Sequence, residues 1–124
     1  MTSSTSSPAC TSTCAIAIYW RARPGQFDAY TQYLRDEVEP IDELALERGV
    51  LIRHCTLIDA RPGAPWTHMR LFEFSDAAQR ARLHAGMAAI MQERIPEAAV
   101  RAERAQRAAL MRDKVEEVEL DLLG

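Results

Sequence analysis

Trp66-Thr67-His68-Met69-Arg70-Leu71-Phe72-Glu73-Phe74 is the stretch that decides how this chain folds. Side chains alternate along a β-strand. His68, Arg70, Phe72 and Phe74 therefore share one face, and Thr67, Met69, Leu71 and Glu73 share the other. A half-buried strand normally keeps its polar groups on the wet side. Here a titratable imidazole and a permanent cation sit on the face that two phenylalanines need to bury. Burying such groups unpaired is costly, so solvent, a protein partner or a ligand has to satisfy them. That requirement is how a small-molecule pocket shows itself in a sequence.

Two turn-rich segments frame this strand. Arg61-Pro62-Gly63-Ala64-Pro65 precedes it and breaks any strand. Before that loop, Val50 to Asp59 reads as another strand, so the two form a hairpin. Ser75 and Asp76 follow the stretch and supply a helix N-cap. The alanine- and arginine-rich run that comes next predicts helix from Ala77 to about Asp113, split at Pro96. Leu83, Met87, Ile90 and Met91 form its apolar stripe. Its second piece, 97–112, is strongly charged and is expected to be solvated or packed on a partner.

Toward the N-terminus, Cys14 to Ala22 (CAIAIYWRA) is a strand that Pro24-Gly25 ends. It sets Ile16, Ile18 and Trp20 on one face, and Ala17, Tyr19 and Arg21 on the other. A helix over about 26–48 carries Phe27, Tyr30, Leu34, Ile41 and Leu44 near helical spacing. Pro40 should kink or break it, and Gly49 ends it. At the C-terminus, Val118, Leu120 and Leu122 alternate with Glu117, Glu119 and Asp121. This is a strand with one acidic face, suited to a sheet edge. The order βαββαβ predicts an α+β, ferredoxin-like domain over 14–124, with a four-stranded antiparallel sheet and helices on one face. The first three strands carry large apolar residues at both parities, so the second face also needs cover. A second copy of the chain would supply it, which predicts a homodimer packed sheet to sheet.

Composition sets the remaining bounds. The chain has 124 residues, enough for one domain with a real core. The net charge of −3 argues against a nucleic-acid footprint, which needs a clustered basic face. No apolar run approaches membrane-spanning length. Residues 1–13, rich in Ser and Thr, read as a disordered tail and not as a signal peptide, so a cytoplasmic protein is expected. Three cysteines make no disulfide framework. Cys10 and Cys14 have C-x3-C spacing with no second ligand pair, and Cys55 reads as a small buried hydrophobe. The three histidines lack short metal-ligand spacing, so no metal and no cofactor is expected.

Trp66-Thr67-His68, with the apolar alternation that leads to Phe72 and Phe74, resembles the dimeric α/β-barrel superfamily. Within it the chain is similar to the stress-responsive A/B-barrel and olivetolic acid cyclase-like branch, in which an aromatic-Thr-His triplet opens the same strand. Antibiotic biosynthesis monooxygenase-like proteins belong to the same superfamily. The resemblance implies a pocket between the sheet and the helices of each protomer. It turns His68, Arg70, Phe72 and Phe74 toward that pocket, together with Ile16, Ile18 and Trp20. The cyclase-like branch also has a tyrosine and a His-Pro-Ala-His type stretch in its second helix. Here Arg82-Leu83-His84-Ala85-Gly86 stands there, with Leu83 in place of the tyrosine and His84 the one histidine nearby.

His68 then reads either as a general acid/base or as a hydrogen-bonded core histidine. Arg70 reads as a donor to a carboxylate, enolate or phenolate, or as the partner of a helix carboxylate such as Asp36 or Glu37. His54 and His84 are further catalytic candidates if their faces turn inward. Tyr30, Trp66, Leu83 and Met87 join Trp20, Ile18, Phe72 and Phe74 as candidate substrate-binding walls, with core packing as the default for Tyr30. The leading expectation is a cofactor-independent enzyme that enolises, cyclises or isomerises a small apolar oxygenated molecule, polyketide-like or aromatic. The alternatives are a cofactor-free monooxygenase of a phenol and a non-catalytic, stress-associated binding dimer.

Overall fold

The computed structural model describes residues 11–123. Its strands are β1 (Cys14–Ala22), β2 (Arg53–Ile58), β3 (His68–Phe74) and β4 (Arg112–Asp121). They form one antiparallel sheet in the order β2-β3-β1-β4. The helices are α1 (Phe27–Tyr33), α2 (Glu39–Glu47), α3 (Ala77–Ala81), α4 (Leu83–Arg94) and α5 (Ala98–Met111). The fold is α+β and ferredoxin-like, as the element order implies. Of the expected tail, residues 1–10, with Cys10, lie outside the described residues. Thr13 belongs to the sheet: its N–H donates to the Phe74 carbonyl and its own carbonyl accepts from Leu122, both at 2.9 Å.

Register fixes which side chains meet the helices. Trp20 pairs with His68, Ile18 with Arg70, Ile16 with Phe72 and Cys14 with Phe74. In β2, His54 pairs with Phe72, Thr56 with Arg70 and Ile58 with His68. These residues all lie on the helix-covered face. The core there joins Cys14, Ile16, Ile18, Phe72 and Phe74 to Ile41, Ala45, Leu51, Leu83 and Ile90. Burying this much branched and aromatic side chain is what holds the helices to the sheet.

Pro40 does not stop the first helical segment. Residues Leu34–Val38 form a π turn between α1 and α2, and Pro40 lies in the first turn of α2. A proline lacks an N–H and its ring crowds the carbonyl four residues earlier. The wider turn accommodates both defects, and the chain stays helical. The helix ends at Gly49 (φ 73°) in a Schellman arrangement. Val50 N–H donates to the Ala45 carbonyl at 2.9 Å, and Gly49 N–H to Leu46 at 3.2 Å. This turn takes up Val50 and Leu51, so β2 starts at Arg53, later than its apolar run suggests.

Asp76 caps α3, accepting from Gln79 N–H at 2.7 Å. The long helical region breaks before Pro96, as expected, and also at Arg82, where nothing in the local sequence marks it. β4 follows α5 without a loop. It starts at Arg112 because its first residues pair with Trp20, Arg21 and Ala22, and a bulge then shifts the register.

The other sheet face carries Ala17, Tyr19, Met69, Leu71, Leu57, Cys55, Val118 and Leu120. No helix covers it among the described residues, and Leu57 and Leu120 are 45% and 43% exposed. Cys55 is correspondingly exposed, not buried as its apolar neighbours suggested, while Cys14 is the buried cysteine. Phe74 anchors the opposite face at 0% exposure. Phe74→Ala should destabilise the fold by about 3–5 kcal/mol in chemical denaturation.

Candidate functional site

His68 stands at the start of β3 with 0% exposure. The rings of Phe27 and Tyr30 pack on it at 4.9 and 4.6 Å between centroids. Both of its nitrogens are occupied. Nε2 lies 2.8 Å from Thr31 Oγ1 and Nδ1 lies 2.7 Å from Thr67 Oγ1. The hydroxyl of Thr31 donates to the Phe27 carbonyl at 2.8 Å, so Nε2 is the nitrogen that carries hydrogen and donates to Thr31. Thr67 then donates to Nδ1, a better acceptor than the Trp20 carbonyl at 3.4 Å. Ala22 N–H donates to the same Thr67 oxygen at 2.8 Å, which fixes its orientation. Burial lowers the imidazole pKa from 6.5 to about 4, so it is neutral at neutral pH.

Arg70 is 7% exposed and satisfied within the chain. Its Nη2 donates to Asp42 Oδ2, and its Nε donates to Thr56 Oγ1 at 3.2 Å. The carboxylate is therefore Asp42 on α2, not Asp36 or Glu37. Asp36 accepts from Gln32 at 2.9 Å, and Glu37 accepts from Arg107 at 2.8 Å. Asp42 is 0% exposed, and its Oδ1 has no hydrogen-bond partner. Burial raises its pKa, against the pull of Arg70. The guanidinium also lies 4.9 Å from the Phe72 ring centroid.

His54 faces the same side but does not reach His68. Its register position is four residues along β2 from the partner of His68, a separation of about 13 Å along the strand. Its Nε2 contacts Glu43 Oε2 at 2.6 Å, and its Nδ1 is 4.0 Å from Asp42. His84 is also not brought to His68. Its side chain is 66% exposed and contacts Glu117 of β4 at 2.7 Å.

Among the expected wall residues, Ile18, Phe72, Phe74 and Leu83 are buried in the closed core, and Met87 packs against it. Tyr30 is fully buried, and its hydroxyl accepts from Arg112 at 3.0 Å. Burial raises its pKa, which Arg112 partly offsets. Trp66 precedes β3 and packs edge-on against Tyr19 of the uncovered face, 5.5 Å between centroids. The alternation thus starts at His68, and Trp66 does not join Trp20.

Trp20 does open on a space. A cleft of about 420 Å³ lies between the end of β1 and helices α1, α4 and α5. Trp20, Tyr33, Met91, Arg101, Arg104, Ala105, Ala108, Ala109 and Arg112 line it. The α5 positions recur at the spacing of one helical face, a stripe legible in the sequence once arginine and alanine are both read as wall residues. The guanidinium carbon of Arg112 stands over Trp20, 3.7 Å from the ring centroid. A smaller cleft of about 210 Å³ lies between β2 and the π turn, lined by Thr31, Leu34, Arg35, Glu39, Thr56 and Ile58. Its two threonines are the hydroxyl partners of His68 and Arg70.

The architecture defines a ferredoxin-like domain with its polar residues enclosed under the helices. No family model and no curated protein matches the chain. Solved structures do. A dimeric ferredoxin-like protein from an uncultured marine organism aligns with a TM-score of 0.66 at 8% identity, over 94% of this chain and 92% of that one. A dabb family protein with a ferredoxin-like fold from Mesorhizobium loti aligns at 0.58 and 16% identity, over 92% and 100%. HapK from Hahella chejuensis aligns at 0.54 and 19% identity, over 90% and 93%. At these identities the likeness shows the fold alone, which is ferredoxin-like.

Two outcomes follow from this wiring. Asp42→Asn leaves the Arg70 cation buried without its carboxylate and should cost about 3–5 kcal/mol of stability. Replacing the pair together, Asp42→Leu with Arg70→Met, should cost less than that single change. For His68, the unfolded imidazole takes a proton near pH 6.5 and the folded one only near 4. Between those values the unfolded chain binds more protons, so stability falls as pH drops, by about 3 kcal/mol. Urea melts across this window should lose about 3 kcal/mol more in the wild type than in His68→Gln, on top of the pH dependence that the carboxylates give both.

Proposed function

We propose that the protein is a homodimer that binds a small, largely apolar molecule in the cleft against Trp20, between sheet and helices. One observation carries this reading: the cleft of about 420 Å³ with Trp20, Met91 and three alanines on its wall, a size and lining suited to a small ligand. His68 backs this wall: it pairs with Trp20 across the sheet and its ring meets that of Tyr30, which accepts from Arg112. The uncovered apolar sheet face supports the dimer, because a second copy buries it. The dimeric ferredoxin-like protein named above has the same fold.

A second reading is a cofactor-independent enzyme in which His68 moves a proton during enolisation, cyclisation or isomerisation. It is favoured by Thr31, whose hydroxyl contacts His68 and also lines the smaller cleft. Thr31 could then relay a proton between imidazole and substrate. On this reading Thr31→Val removes turnover without removing ligand.

The binding reading is tested with the neutral fluorophore Nile red. The wild type should bind it saturably, and Ala105→Trp, which fills the cleft, should abolish binding and leave the oligomer intact. Retained binding in Ala105→Trp would exclude this cleft as the site. Light scattering should give twice 13.9 kDa for the wild type and a monomer for Leu71→Asp on the open face. A wild-type monomer would sink the dimer.

A further inference from the structure

The charge inside the cleft is only partly matched among the described residues. Its lining holds three guanidinium groups and no carboxylate, in a protein whose formal net charge is −3. Arg104 has Glu37 Oε1 at 3.7 Å from its Nε, but Glu37 is shared with Arg107 at 2.8 Å. Arg101 and Arg112 have no carboxylate partner among the described residues. A guanidinium has five N–H donors in a planar fork. Arg101 Nη1 donates to the carbonyls of Ile95 and Pro96, at 2.7 and 2.9 Å. Arg112 Nη1 donates to Tyr30 Oη while its guanidinium stands over the Trp20 ring. The remaining donors of both arginines have no protein acceptor among the described residues. Arg112 is held in place on two sides, by the indole and by the tyrosine hydroxyl, so little side-chain entropy is left to lose when an anion binds.

Resting on the ligand reading above, we propose that the cleft selects an apolar monoanion, a carboxylate on a hydrocarbon body. The carboxylate meets the free donors of Arg112, beside Trp20 at one end of the cleft. The hydrocarbon lies along Ala105, Ala108 and Met91, a wall with no polar side chain to hydrate. A cation and an apolar wall thus adjoin in one space, which distinguishes this ligand from a free inorganic anion and from a neutral hydrocarbon.

Calorimetric titration of the intact protein with octanoate and with neutral octanamide tests this. Octanoate should bind at least about tenfold more tightly than the amide, the usual scale of a charge-assisted hydrogen bond. Arg112→Gln should remove that preference. Because Arg112 also braces Trp20, Arg112→Lys provides the second variant; it keeps a cation at the site and should retain the preference for octanoate over the amide. Inorganic phosphate should not compete with octanoate. Equal affinity for acid and amide would overturn the anion inference and leave the pocket intact. Neither compound binding while Nile red still does would also overturn it. Loss of all three would remove the underlying ligand reading as well.

Discussion

The buried contact between Arg70 and Asp42 is the constraint to which much of the helical layer answers. Arg70 points from β3 toward the helices because alternation forces it there, between His68 and Phe72. A permanent cation in that position demands a carboxylate of comparable burial. Asp42 supplies it from α2, and α2 is turned to do so after a π turn and a proline. Once Asp42 is in place, Glu43 beside it meets His54, and Thr56 completes the donors of Arg70. Glu37, left outside this cluster, is available to the arginines of α5. A single buried charge on the sheet thereby helps to fix how both helical segments are rotated.

The sheet has two unlike faces, and their contrast is informative. The helix-covered face holds the polar groups, His68, Arg70 and Thr56, each paired inside the protein. The uncovered face holds Leu57, Leu71, Val118 and Leu120. The helix-covered face thus carries these polar groups within the apolar core, where a half-buried antiparallel sheet would usually carry apolar side chains alone. The acidic residues of β4 fit the same scheme. Glu117, Glu119 and Asp121 share the face of Ile18, Ile16 and Cys14, and they meet His84 and Arg80 at the helix side.

Much of this was legible in the sequence, and the boundary of legibility is physical. A period of two places His68 and Arg70 on one face with Phe72 and Phe74, and the resemblance to the superfamily implies that Ile16, Ile18 and Trp20 join them. Strand order follows from the order of elements. The identity of the Arg70 partner was not legible, because it depends on the π turn, and a register change within a helix leaves little local signature beyond Pro40. Trp66 was misplaced for a similar reason: alternation holds only where the ladder holds, and the ladder begins two residues later. His84 sits on the helix that the resemblance to cyclase-like proteins would use, but an exposed position beside Glu117 gives it a surface partner. The cleft arginines were visible as a stripe on the helix 98–111. Reading that helix only for large apolar residues concealed them, since the wall of a binding site can be built from small side chains and cations.

Arg112 gathers these strands of argument at one residue. It is the first residue of β4 and the C-cap of α5, so its backbone joins sheet to helix without a loop. Its side chain lies on Trp20, whose strand partner is His68, and donates to Tyr30, whose ring also packs on His68. A displacement of Arg112 would therefore be felt by the imidazole through two independent contacts, one across the sheet and one through the first helix. The neutral, doubly hydrogen-bonded His68 resists that displacement, because protonating it or turning it would break its bonds to Thr31 or Thr67 inside a dry core. The histidine that the sequence singles out for chemistry thus has a clear mechanical consequence: it keeps Trp20 and Tyr30 fixed, and through them the cation that faces the cleft.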